Sequence, residues 1–349
     1  MTAPSPPTPN AVQTAIRRIA FGESLDAALA TDAFGTVMRG EATAAQIAAL
    51  LIGLRVKGET ADEVTGAARA LRAAMVKLPV ASSEDLVDTC GTGGGAVPTF
   101  NISTAAALLA AGSGVRIAKH GNRSFTTQCG SADVLEQLGI TLDASVELAA
   151  HALEQAGITF MFAPAMHPAM RHVGPVRREL GIPTVMNIVG PLANPAGAAR
   201  QVVGVAERAR MPLLAGALAS LGAAHALVVH GEPGMDEISP IGPTHVAEVR
   251  DGSVREWTIN PSDYGFTGFV PSDLGGGSPA DNARTIVEVL EGRGKPASTA
   301  AVVLNAAGAL YVAPGNRTFA DCVTAASGAL AQGAGAAALE RMRRAYRGQ

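Results

Sequence analysis

At 349 residues, with 48% hydrophobic and 4% aromatic side chains and 40 glycines, the chain is long enough for two packed domains of Ala, Val and Leu, which excludes a largely disordered polymer. A formal net charge of -3 excludes a global basic field for nucleic acid or an anionic membrane surface and points to small-molecule partners. Three scattered cysteines (Cys90, Cys129 and Cys322) exclude a disulfide framework and a Cys/His zinc site, so a reducing cytoplasm is expected.

Residues 1–10, MTAPSPPTPN, read as a frayed Pro-rich tail with neither a basic nor an apolar leader region, and no later run has the apolar length of a membrane span. From 11 to 80 the pattern is helical throughout. Thr43 with Gln46 and Thr60 with Glu63 have the capping-box spacing that opens helices. After residue 84 short β-branched runs alternate with Gly-rich loops and helices: DLVDTC, GVRIAKH, ITFMFAP and later HALVVH. Such alternation predicts an α/β domain with a mostly parallel central sheet and flanking helices, over 84–173 and 199–349. The Pro-rich segment 174–198 is expected to return to the small all-helical domain, to carry hinges and to cross the cleft. Beyond residue 250, DLGGGSPAD reads as a short flexible connector before further helices. The basic run RMRRAYRG fits a C-terminal helix end, where cations meet the helix dipole favourably.

Ligands of open parallel sheets sit outside the carboxyl ends of the strands, so the strand-end loops are the candidates. The first is GTGGG. Gly91, Gly93, Gly94 and Gly95 permit positive φ and close approach of backbone amides to an anion, and Asn101 or Ser103 can cap the following helix, whose end also suits an anion. A plain Gly-rich turn before a capped helix has the same pattern. Gly91-x-Gly93-x-x-Ala96 also matches a dinucleotide fingerprint, but Pro98, Thr99 and Phe100 delay the helix and the next strand ends in Lys119 and His120, not an acid.

Lys119, His120 and Asn122 bring a cation, an imidazole and an amide together, fitting a phosphate, a ribose or an aromatic acid; solvated or core residues are the ordinary alternative. Thr126, Thr127 and Ser131 add hydroxyls, and Ser131 heads another helix. Asp236-Glu237 in a Gly/Pro loop suits Mg²⁺, although adjacent loop acids are commonly just solvated. Arg177 and Arg178 offer a fork for a carboxylate or a surface ion pair. No Ser/His/Asp or Cys/His nucleophile is evident, and His151, His167 and His172 read as structural residues or as supports behind the site.

In order, VDTCGTGGG, TFNIST, AKHGNR, GSADVLEQLG, HPAMRHVGPVRRELG, NIVGPLANPAG and HGEPGMDEIS resemble the anthranilate phosphoribosyltransferases of tryptophan biosynthesis over about residues 87–240. The resemblance implies a hinged two-domain homodimer joined through helical domains, and Mg²⁺-dependent transfer of phosphoribosyl from its 1-diphosphate to anthranilate. It implies donor contacts at Gly91, Gly94, Gly95, Thr99, Asn101, Ile102, Ser103, Thr104, Lys119, Asn122, Thr127 and Ser131. It further implies metal at Ser103, Asp236 and Glu237, anthranilate at Gly91, Asn122, Arg177 and Pro191, and catalytic roles for Lys119 and His120. The chain departs from the family pattern at Gly95, where aspartate is usual, at Thr126-Thr127 for two serines, and at Pro183 and Met186 for Arg and Phe. Pyrimidine nucleoside phosphorylases of the same architecture and a non-catalytic phosphoribosyl-diphosphate binder are the competing readings.

Overall fold

The computed structural model describes residues 10–124, 128–315 and 317–349. In chain order its elements are α1 (Ala11–Ala20), α2 (Ala27–Met38), α3 (Ala44–Lys57), α4 (Ala61–Ala73), β1 (Leu86–Gly91), α5 (Ile102–Gly112), β2 (Arg116–Gly121), α6 (Ser131–Gln137), α7 (Val146–Ala156) and β3 (Ile158–Phe162). There follow α8 (Ala163–Met166), α9 (Gly174–Leu180), α10 (Met186–Val189), β4 (Arg200–Gly204), α11 (Met211–Ser220), β5 (His225–Gly231), β6 (Thr244–Arg250), β7 (Ser253–Ile259), α12 (Pro279–Leu290), α13 (Pro296–Val312), α14 (Phe319–Ala331) and α15 (Ala334–Tyr346). Among the described residues no single helix is long and apolar enough to cross a membrane.

The chain divides into two compact units: Met1–Met75 with His167–Ala193, and Val76–Met166 with Asn194–Gln349. These breaks differ from those expected at 80, 174 and 198, for reasons visible in the bonding. Val76 N–H donates to Met166 O at 2.8 Å and Leu78 N–H to Pro195 O at 3.0 Å, which ties residues 76–80 to the α/β unit. Asn194 donates from Nδ2 to Asp88 Oδ2 at 2.8 Å and to Ala118 O at 2.9 Å, so the same unit resumes there. Residues 167–173 belong with the helices.

In the helical unit both expected capping boxes form. Thr43 accepts from Gln46 N–H while Gln46 Oε1 accepts from Thr43 N–H, and Thr60 and Glu63 do the same. Glu63 is fully buried and also takes Leu25 N–H at 2.9 Å and Lys57 Nζ at 3.0 Å, so one carboxylate closes a helix start and joins two neighbouring segments. His167 is buried, and burial drives its imidazole pKa down to about 4, against the opposing pull of a bond to the Ala193 backbone. The unfolded chain therefore takes up a proton near pH 6.5 that the folded one refuses, and stability falls as pH drops from 6.5 toward 4. The loss should reach roughly 3 kcal/mol. His167→Gln is expected to flatten that acid limb in urea titrations run at pH 7 and pH 4.5; an unchanged slope would remove His167 as its source.

The α/β unit holds a seven-stranded sheet in the order β3-β2-β1-β4-β5-β6-β7. Strands β3 to β5 along that order are parallel, and β6 and β7 continue it antiparallel. One face carries the main core, with Val87, Ile117, Val202, Leu227 and Val229 packed beneath α5, α13 and α15. A smaller cluster of Leu78, Leu86, Ala118, Leu153, Met161 and Ala196 covers the other face near β1 to β3. From β1 the chain builds outward through β2 and β3, then comes back to place β4 and β5 on β1's other side. Its switch point lies between β1 and β4, where the rule for open sheets puts a ligand.

Candidate active site at the switch point

Strand β1 ends at Gly91, in register with Gly204 at the end of β4. The loop carrying Asp236 and Glu237 closes over both. A Cβ on Gly204 would fall inside the Asp236 carbonyl, and one on Gly91 would stand 2.7 Å from Asp236 Oδ2. Of the four glycines in GTGGG, Gly93 (φ +71) and Gly94 (φ +80) take the left-handed conformation that favours glycine. Gly91 and Gly95 do not. Their lack of a side chain makes space, since a Cβ at Gly95 would lie 3.0 Å from Asp236 Oδ1 and 3.1 Å from Gly234 O. The two loops are strapped together by Ala96 N–H donating to Gly234 O at 2.8 Å.

The amides expected to be bare are engaged by the acids. Gly93 N–H donates to Asp236 Oδ2 at 2.8 Å and Ser103 N–H to Glu237 Oε1 at 3.1 Å. Helix α5 starts at Ile102, and Asn101 makes no capping bond to it, contrary to expectation. The Asn101 amide instead donates to Cys129 O at 3.3 Å and its oxygen accepts from Asn282 Nδ2 at 2.9 Å, because α12 and the Cys129 loop converge on it. Ile102 and Thr104 are buried in the core side of α5, and their N–H groups donate to Phe100 O and Asn101 O. DLGGGSPAD is no loose connector: Phe100 N–H donates to Leu274 O at 3.1 Å, and a Cβ on Gly276 would meet Thr99 O at 2.5 Å.

Pairing of β1 with β2 is registered at Leu86–Arg116 and Val87–Ile117. Toward the strand ends side chains satisfy the backbone. His120 N–H donates to Asp88 Oδ1 at 3.1 Å, while Lys119 Nζ donates to Thr89 O and, at 3.3 Å, to Ser103 Oγ. Lys119 is only 3% exposed, so its charge is presented from beneath Ser103 and not from solvent. Burial lowers its pKa, with Asp88, Cys90 and Glu237 pulling the other way. Burial likewise raises Asp88, Asp236 and Glu237. Glu237 is pushed up to about 8 by burial and then by the Asp236 charge, against the pull of Lys119.

Asn122 and Ser131 meet at one end of this group, where Ser131 Oγ donates to Asn122 O at 3.3 Å. Thr127, with Thr126, lies outside the described residues. Arg177 and Pro191 belong to the helical unit: Arg177 donates to Asn187 Oδ1 at 3.4 Å and has its pKa lowered by burial, and Pro191 is buried in the turn Gly190–Leu192, whose Leu192 O accepts from Arg72 Nε at 2.7 Å. The structure thus brings together Gly91, Gly93, Gly95, Ser103, Lys119, Asp236 and Glu237. Asp88, Asn194, Gly204 and His230 were missed as parts of this group. His230 is buried at the end of β5 with Nδ1 on Val205 O at 2.8 Å, and its only local signal was its place at a strand end.

The donor set fits a hard cation. Asp236, Glu237 and the Ser103 hydroxyl are all oxygen donors, and among the described residues no cluster of three or more His, Cys, Asp or Glu side chains forms a complete cage. Two carboxylates with the rest of the shell left to water and phosphate is the habit of Mg²⁺.

Two family models match the chain: the glycosyl transferase family a/b domain over residues 83–336 and its helical bundle domain over 13–75. The anthranilate phosphoribosyltransferase of Rubrobacter xylanophilus is 51% identical over 96% of this chain and 98% of its own length. That of Anaeromyxobacter sp. (strain K) is 48% identical over 93% and 95%. Among solved structures, the Thermus thermophilus enzyme superposes with a TM-score of 0.90 at 40% identity, covering 95% of this chain and 99% of that one. The Saccharomyces cerevisiae enzyme in complex with PRPP and Mg gives 0.88 at 25% identity over 97% and 98%.

Proposed function

We infer the activity from one premise: the chain belongs to the anthranilate phosphoribosyltransferase family. It transfers the 5-phosphoribosyl group from 5-phosphoribosyl 1-diphosphate to the amine of anthranilate, releasing diphosphate. The observation that carries this reading is the pair of adjacent carboxylates seated on the amides of Gly93 and Ser103 at the switch point. Those amides already hold carboxyl oxygens.

As the C1–O bond of the ribose breaks, positive charge grows on C1 and negative charge on the departing diphosphate. We assign that negative charge to the Gly94 and Gly95 amides and to the Lys119 ammonium beneath Ser103, fixed groups that lower the barrier without reorganisation, while the Gly93 and Ser103 amides hold the two acids in place. Asp236, Glu237 and Ser103 would hold Mg²⁺, whose chemistry when bound is to neutralise diphosphate oxygens. The aryl amine is itself the nucleophile, so the remaining task is placing it, which we assign to Arg177 and Pro191 of the helical unit. The test is decay of anthranilate fluorescence with phosphoribosyl diphosphate and Mg²⁺, omitting each in turn. Decay that persists without the donor or the metal would overturn the assignment.

For Arg177, a charge-assisted bond to the anthranilate carboxylate predicts a specific kinetic split. Arg177→Ala should raise the KM for anthranilate about tenfold or more and leave that for the ribosyl donor nearly unchanged. Equal increases in both would remove its role. We also propose a homodimer through the helical unit. Phe21 and Val56 are 84% and 81% exposed at the ends of α1 and α3, two helices that pack on each other, and sedimentation velocity of Phe21→Glu against the parent tests the surface. A reducing cytoplasm agrees with a chain of only three scattered cysteines, Cys90, Cys129 and Cys322.

A further inference from the structure

We propose that Asn305, on α13, is a positioning residue for the acid pair: it fixes where Asp236 and Glu237 present their carboxylates. This deepens the metal assignment above and rests on it. Asn305 is 4% exposed and its side chain pairs with the backbone of Ile238 as a neighbouring strand would. Ile238 N–H donates to Asn305 Oδ1 at 2.9 Å, and Asn305 Nδ2 donates back to Ile238 O at 2.8 Å. Two bonds running in opposite directions fix the orientation as well as the position of that backbone. A third, from Nδ2 to Ala301 O at 2.9 Å, ties the amide to its own helix and locks its rotamer.

Three residues further along α13, Gly308 leaves a slot for the Ile238 side chain. A Cβ there would stand 2.8 Å from Ile238 Cδ1. The helix therefore grips Ile238 by backbone and by side chain. On the other side of the acid pair, Met235 is held by Gly231, with Gly231 N–H on Met235 O at 2.9 Å and Met235 N–H on Gly231 O at 2.6 Å. Asp236 and Glu237 are thus the two residues strung between two clamped neighbours, and their carboxylates reach the Gly93 and Ser103 amides from there. Losing Asn305 leaves the clamp on one side only. The Ile238 backbone would also be left with unpaired buried groups, which favours a shifted loop.

The experiment compares Asn305→Ala and the milder Asn305→Ser with the parent and with Asp236→Asn/Glu237→Gln. Mn²⁺ binding in the presence of phosphoribosyl diphosphate is followed by electron paramagnetic resonance, with thermal unfolding alongside. Expected for Asn305→Ala is about tenfold weaker Mn²⁺ binding, as for removal of outer partners of metal ligands. The KM for Mg²⁺ should rise in parallel, kcat should recover at saturating Mg²⁺, and the KM for anthranilate should stay put. A folded variant with parental Mn²⁺ affinity, or one that loses only melting temperature and kcat, overturns the positioning role. If Asn305→Ala does not fold, the Ser variant decides by the same criteria. Should the double acid variant keep parental Mn²⁺ binding, the metal assignment itself fails; loss there with no change at Asn305 fails the positioning role alone.

Discussion

Asp236→Asn combined with Glu237→Gln is expected to cut kcat/KM for phosphoribosyl transfer by at least about a hundredfold while leaving the fold as stable as before or more so. The amide oxygens can still accept from Gly93 and Ser103, so the loop keeps its partners and loses only its ionisable carboxyls. Both carboxyl pKa values are raised, chiefly by burial, and Glu237 sits at about 8 against 4.5 in the unfolded chain. Between those values the unfolded chain has released a proton that the folded one retains. Metal-free protein should therefore lose stability as pH climbs from 4.5 through 8, and the double variant should not. Melting temperatures at pH 5 and pH 8 in EDTA, beside the activity assay, check both halves. A variant that is inactive and also melts earlier would make the acid pair a structural element.

The helical unit was legible because its signals are local. Thr43/Gln46 and Thr60/Glu63 each write a helix start within four residues, and both boxes form. Strand ends were legible for the same reason, and the parallel sheet followed from their alternation with helices. What the chain did not disclose was set by distant partners. RQVVG is five residues long and begins with Arg, so it escaped notice, yet as β4 it lies at the switch point between β1 and β5. Gly204 is a glycine because of Asp236, far along the chain, and Asp88 is tolerated in the sheet because Asn194 and the His120 amide receive it. Gly91 and Gly95 do not take positive φ; what their missing side chains provide is space beside Asp236. Asn305 reads as one more polar residue in an Ala-rich helix until Ile238 is placed beside it. Gly95 gains a meaning too: an aspartate there would place a second carboxylate against Asp236.

Lys119→Met should be the most damaging single change, acting on chemistry and folding together. The ammonium bonds Thr89 O and Ser103 Oγ, and burial lowers its pKa while the charges of Asp88 and Glu237 pull the other way. Removing it leaves those two carboxylates without their compensating charge, an effect of about 3 kcal/mol for a broken buried pair. It also takes away the cation beneath Ser103, so kcat/KM should fall about a hundredfold or more. The two consequences can be pulled apart. Asp88 lies on the sheet away from the acid loop's amides and answers to Asn194 and His120 N–H. Adding Asp88→Asn to Lys119→Met removes one of the stranded charges, and the melting temperature should recover much of its loss while kcat/KM stays low. Recovery of both would reduce Lys119 to a structural counter-charge. Recovery of stability alone separates its service to the departing diphosphate from its service to the fold.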